Sequence, residues 1–194
     1  MVAGIIMAAG FSKRMGSEKL LLPVEGMPMV ERVIRAAIGG GLEEIIFIYR
    51  RQELKALAEK YGLKTVYNGA ASEGQSASLK LGIAAASLEA EGYLFFVGDQ
   101  IFLTPSVIHQ LLAAFHQNPQ GIIVPVYKEK RGNPVLFPKG LREELMQVEG
   151  DQGGRGLLEK YKERVVWLPI EEENADIDVD TPEQYQSIEG MGKN

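Results

Sequence analysis

Short apolar runs alternate with amphipathic segments almost from one end of the chain to the other, and no other feature restricts the fold as strongly. Runs only a few residues long and rich in β-branched and aromatic side chains are what strands look like when both faces are covered. Residues 2–7, 44–50, 63–67, 93–98 and 121–126 read as such strands. Between them apolar residues return at helical spacing: Val30, Val33, Ile34 and Ala37, then Leu54, Leu57, Ala58 and Tyr61, then Val107, Ile108, Leu111 and Phe115. Pro28 and Pro105 suit first-turn positions, Thr104 suits a cap, and Gly39 to Gly41 and Gly62 suit helix ends. The rhythm predicts an α/β fold, Rossmann-like, with a mostly parallel sheet and helices on both faces.

The rhythm changes after residue 126. A polar, basic stretch at 127–133 precedes a short apolar run at 134–137, which suits a strand pair or an inserted lobe. Residues 139–162 are expected to be helical with a glycine-rich break at 150–156, residues 165–169 to form another strand, and a last helix to start at Thr181-Pro182-Glu183. Residues 190–194 are expected to fray.

Composition removes several classes of function. With 194 residues, 45% of them apolar, the chain can bury a core of its own in one domain. A net charge of -5 and the lack of any basic run argue against a nucleic-acid partner. The absence of cysteine removes disulfides, thiolate metal sites and a cysteine nucleophile together. His109 and His116 lie in a stretch that reads as an ordinary amphipathic helix, which disfavours zinc catalysis. The apolar run at 2–9 is too short to span a bilayer and lacks the charged start of a signal peptide, so no membrane association and a cytoplasmic location are expected.

Three segments carry chemistry. The first strand ends in M-A-A-G-F-S-K-R-M-G-S-E-K, from Met7 to Lys19. Ala8, Ala9, Gly10 and Gly16 let backbone approach a ligand closely, exposed N–H groups in such a turn attract anions, and Arg14 and Lys19 add positive charge suited to phosphoryl oxygens. A solvated turn with incidental basic residues is the competing reading. The segment is neither the G-x-x-x-x-G-K-[ST] of P-loops nor the G-x-G-x-x-G of dinucleotide folds, which weakens kinase and oxidoreductase readings. The second segment, F-F-V-G-D-Q, puts Asp99 at the carboxyl end of a strand, where α/β proteins bind ligands, as a candidate Mg²⁺ ligand or a helix cap. The third, D-I-D-V-D-T-P-E, spaces Asp176, Asp178 and Asp180 by two, so that an extended chain would turn all three to one side, although Asp180 or Thr181 also suits a helix cap. Between them, Asn68 to Gly82 is a small polar loop running into a helix. Gln75, Ser76 and Ser78 there suit contacts to a nucleobase, and Ser76 or Ser78 also suits an N-cap.

The first segment resembles the L-x-G-G/A-x-x-x-R-M-G-x-x-K signature of sugar-nucleotide and cofactor nucleotidyltransferases, matched at Ala9, Gly10, Arg14, Met15, Gly16 and Lys19. With G-Q-S-A-S-L-K, V-G-D-Q, G-N-P-V-L-F (Gly132 to Phe137) and G-D-Q-G-G-R (Gly150 to Arg155) in order, nearly the whole chain looks like the molybdenum cofactor cytidylyltransferase family. Ile101 departs from the proline that family usually has after G-D-Q. The resemblance implies a single nucleotidyltransferase (GT-A-like) domain over 1–194, with a nucleotide half at about 1–126 and an acceptor half at about 127–194. It implies transfer of CMP from CTP to molybdopterin, with Mg²⁺ on Asp99 and Asp180, Asp178 in support, and Lys19 and Arg14 on the phosphates. Gln75 to Ser78 would face cytosine, and Asn133 and Arg155 would face the acceptor. A molybdenum hydroxylase in transient contact is the implied protein partner. The molybdopterin guanylyltransferase, another sugar- or polyol-phosphate nucleotidyltransferase, and a cofactor-binding chaperone without turnover are the alternatives.

Overall fold

The structure is a computed structural model and describes residues 1–11, 18–172, 179 and 181–191. In chain order it contains β1 (Val2–Ala8), the two-residue strands β2 (Pro23–Val24) and β3 (Met27–Pro28), α1 (Met29–Gly39), β4 (Glu44–Tyr49), α2 (Gln52–Glu59), β5 (Lys64–Tyr67), α3 (Gln75–Ala85), β6 (Gly92–Val97) and α4 (Pro105–Gln117). These are followed by β7 (Ile122–Tyr127), β8 (Lys130–Arg131), β9 (Val135–Pro138), α5 (Arg142–Leu145), α6 (Arg155–Lys160), β10 (Val165–Pro169) and α7 (Pro182–Met191).

One eight-stranded sheet runs β5-β4-β1-β6-β9-β7-β10, with β8 paired to β7, while β2 and β3 form a separate ribbon. β1 is parallel to both β4 and β6, β4 to β5, and β7 to β10, whereas β9 runs antiparallel between β6 and β7. The sheet is therefore mixed and largely parallel.

Alternation along the strands explains why the apolar runs are continuous. Val2, Ile6, Ala8, Phe47 and Phe96 pack with α1, α2 and α4, whereas Ala3, Ile5, Ile46, Ile48 and Phe95 pack with residues of α3, α5 and α6. Each fully buried side chain of the size of Phe47 or Phe96 contributes about 1.5–3 kcal/mol by leaving water. α3 lies so close to β1 that a Cβ on Gly82 would stand 2.3 Å from Ile5, so only glycine fits that crossing.

The caps bear out two sequence expectations. Thr104 accepts a hydrogen bond from the Val107 N–H with Pro105 in the first turn of α4. Thr181 and Gln184 cap the start of α7 reciprocally, each side chain accepting from the other's backbone N–H. Pro28 lies just before α1 instead of in its first turn. The stretch expected to be helical at 139–162 with a break at 150–156 is a pair of short helices, α5 and α6, and the turn at 150–152 falls within that break. His109 and His116 are exposed on α4. Among the described residues no helix is long and apolar enough to cross a membrane.

Candidate active site

The chain moves outward from β1 to β4 and β5 and then returns to β6 on the other side of β1. Strand order therefore reverses between β1 and β6, and the carboxyl ends of strands at such a switch point are where open α/β sheets take ligands. Ala8 and Ala9 are buried in the core at the carboxyl end of β1, and Gly10 is exposed, with no atom of the described residues within 4 Å of where a Cβ would stand. Arg14 and Gly16 lie outside the described residues. Lys19 and Leu20, in a short turn at Lys19–Leu21, are buried.

Lys19 Nζ donates to Asp99 Oδ2 at 2.6 Å, with side chains only 11% and 16% exposed. Two charges so far from water are tolerable because they pair. The fold thus brings together two of the three residues that the sequence marks as catalytic. Asp99 is not a cap for α4, since Thr104 fills that role.

Arg50, directly after β4, is a residue to which no motif drew attention. Its Nη2 lies 3.5 Å from the Gly10 carbonyl oxygen and 3.5 Å from Glu18 Oε2, and its guanidinium sits 4.5 Å from the centre of the Phe11 ring. The only sequence signal was positional: a basic residue at the carboxyl end of the strand beside β1.

The polar loop before α3 is held from below. Asn68 is fully buried, donates from Nδ2 to Ser78 Oγ at 2.9 Å, and accepts from the Ala70 N–H at 2.9 Å. Neither Ser76 nor Ser78 caps α3: both are buried within its first turns, and the cap residue is Gly74. Asp151 does the capping from a distance, its Oδ1 accepting from the Gln75 N–H at 3.1 Å. Gly74 has φ +97°, and a Cβ there would stand 2.5 Å from the carbonyl carbon of Gly150. The G-Q-S and G-D-Q-G-G segments, distant in sequence, are one joint in space. Gln75 is exposed beside this joint.

Residues from the later part of the chain reach the same edge. The Asn133 carbonyl accepts from Gln100 Nε2 at 3.0 Å and from the Tyr127 hydroxyl at 2.9 Å, which ties it to the residue after Asp99. Arg155 is exposed at the start of α6. Asp176, Asp178 and Asp180 lie outside the described residues. Val179, between two of them in sequence, is buried in one cluster with Ile101, Val24, Met29 and Ile188. Ile101, the departure from the family pattern, therefore serves as packing two residues beyond Asp99. Among the described residues no three acidic or histidine side chains form a metal-binding group. The carboxylate of Asp99, a hard oxygen donor, fits Mg²⁺, which takes few protein ligands and completes its shell with phosphate and water.

A Rossmann-like sheet with a lysine and an aspartate facing each other across its switch point has the architecture of a nucleotidyltransferase. The chain belongs to the family of the MobA-like NTP transferase domain, whose profile matches residues 4–165. It is 24% identical to the purine catabolism protein PucB of Bacillus subtilis over 95% of this chain and 94% of that one. It is 28% identical to the molybdenum cofactor cytidylyltransferase of Escherichia coli, over 93% and 92% of the two chains. Among solved structures it resembles Rv0371c from Mycobacterium tuberculosis H37Rv, with 25% identity, 97% of each chain covered and a TM-score of 0.87. Fold and family support nucleotidyl transfer to a small-molecule acceptor.

Proposed function

We propose that this chain transfers CMP from CTP to the terminal phosphate of molybdopterin, giving the cytosine dinucleotide and pyrophosphate. The observation that carries the reading is the Lys19–Asp99 pair at the switch point, a cation for phosphoryl oxygens beside a carboxylate for a metal. The likeness to the Escherichia coli cytidylyltransferase along nearly the whole chain supports the choice of base and acceptor.

In this mechanism an acceptor phosphate oxygen attacks the α-phosphorus of CTP in line, a new P–O bond forms, and the bond to the β-phosphate oxygen breaks to release pyrophosphate. Lys19 steadies the α-phosphoryl oxygens and Arg14 the departing pyrophosphate, so both act where negative charge grows. Gly10 and Gly16 shape the cradle. Gln75, Ser76 and Ser78 border the base, and Asn133 and Arg155 the acceptor. Asp99 and Asp180, with Asp178 in support, would hold Mg²⁺, which when bound neutralises polyphosphate charge as a Lewis acid. No covalent enzyme intermediate is required.

The test is incubation with Mg²⁺, molybdopterin and equal CTP and GTP, followed by mass spectrometry of the product and measurement of pyrophosphate. The CMP adduct is expected to predominate. A predominant GMP adduct would reassign the chain as a guanylyltransferase. If no nucleotide were consumed and Lys19→Ala left cofactor delivery to a molybdenum hydroxylase intact, a non-catalytic carrier would replace both readings.

A further inference from the structure

We infer that Arg50 is a positioning residue that ties together the two flanks of the segment following β1 and thereby sets Lys19 against Asp99. The inference rests on the proposed function for its nucleotide readout, but the tie itself concerns only described residues.

Tyr49 pairs with Ala8 across β4 and β1, so Arg50 starts level with Ala9 and its side chain reaches both flanks. On the near flank it meets the Gly10 carbonyl and covers the Phe11 ring, and on the far flank it meets the Glu18 carboxylate. The Glu18 side chain is only 7% exposed, although it carries a formal charge. A carboxylate so far from water calls for a nearby cation, and Arg50 supplies one. Glu18 immediately precedes Lys19, and the Leu21 N–H bonds back to the Glu18 carbonyl, so holding Glu18 fixes the turn from which Lys19 projects to Asp99.

The chemistry of the group suits this task. A guanidinium is planar and stacks on an aromatic face while donating in its own plane, so one side chain serves Phe11, Gly10 and Glu18 together. Lysine retains the charge but has neither the plane nor the fork. The Arg50 Nε is buried without a hydrogen-bond partner among the described residues, a cost that marks the group as placed for its outer end.

The experiment combines Arg50→Met, Arg50→Lys, Glu18→Gln and the Arg50→Met/Glu18→Gln double variant of the full chain. Urea unfolding is measured without ligand, and CTP binding and turnover with Mg²⁺. Arg50→Met is expected to lower kcat about tenfold while weakening CTP binding less than about threefold, with Arg50→Lys recovering only part of the loss. The double variant is expected to be no worse than the poorer single variant, both in binding and in unfolding. Additive effects of the two substitutions in unfolding, or full recovery by lysine, would overturn the tie. Weakened CTP binding with kcat unchanged would overturn the positioning role. If the unaltered chain bound no nucleoside triphosphate, the proposed function would fail, whereas the unfolding cycle would still decide whether Arg50 and Glu18 are coupled.

Discussion

The sheet around β1 and the sheet around β9 are built differently. β5, β4, β1 and β6 are all parallel, and β4, β5 and β6 are each reached through a segment that contains a helix. β9 instead enters antiparallel between β6 and β7, reached from β7 without a helix and left by α5, four residues long. Parallel neighbours require long crossovers, which impose regular helices, while antiparallel neighbours need only a loop. Lys19, Arg50 and Asp99 stand on the regular part. Asn133, Asp151 and Arg155 stand on the irregular part, whose segments are positioned by joints such as Asp151 to Gln75. Strand ends of a rigid sheet suit chemistry that tolerates little displacement, and loops suit the choice of what is joined.

The contrast can be broken most severely at Asp99. Asp99→Ala is expected to lower nucleotidyl transfer about a thousandfold. It also removes one partner of the buried Lys19 ammonium, which should cost about 1–3 kcal/mol in urea unfolding and be relieved in part by Lys19→Met in the same chain. Gly74→Ala attacks the joint between the two parts: an unfavourable backbone conformation and a clash with Gly150 should cost at least about 2 kcal/mol in unfolding and raise KM for both substrates.

A gentler probe asks whether the parts melt together. Trp167, the chain's single tryptophan, is 54% exposed on β10 and reports on the irregular part by fluorescence. Since both parts share one sheet, its transition should coincide with that of far-UV circular dichroism, and an earlier Trp167 transition would separate them. The smallest effect lies between α5 and the end of α6. The Tyr161 hydroxyl donates to Glu144 at 2.6 Å and holds that carboxyl below its ordinary value of 4.5. Because the folded value is lowered, the associated stability is present above the ordinary value and lost as pH falls through the folded one. In Tyr161→Phe the Glu144 titration, followed by carboxyl NMR, should move back up, and the stability difference from the unaltered chain should vanish in acid.

The regular part was legible because β1, β4 and β6 are apolar runs and α1 and α2 keep their period. The residues 44–50 and 93–98 read as strands are β4 and β6 to within a residue at each end. Lys19 and Asp99 stood out in the sequence through glycines and charge after buried strands, and the fold brings the two side chains into contact. Arg50 was not, because its significance lies in a neighbour across the sheet, and strand order is not written in local pattern. Asp151 as the cap of α3 was equally hidden: the serines nearest in sequence offered a local cap, and a carboxylate 76 positions away supplied it. The glycine-rich break at 150–156 was legible, whereas the helical extent on either side was overstated, because Leu141, Leu145, Leu157 and Leu158 pack into the core from short helices and turns.

The place of β9 also bears on how the chain is made. During synthesis β1, β4, β5 and β6 emerge first and can pair among themselves, yet β6 keeps a bare edge carrying Tyr93 and Phe95 until residues 135–138 have left the ribosome. A nascent chain stalled between β6 and β9 therefore displays an open template for strand addition, and that interval is where chaperone protection matters most.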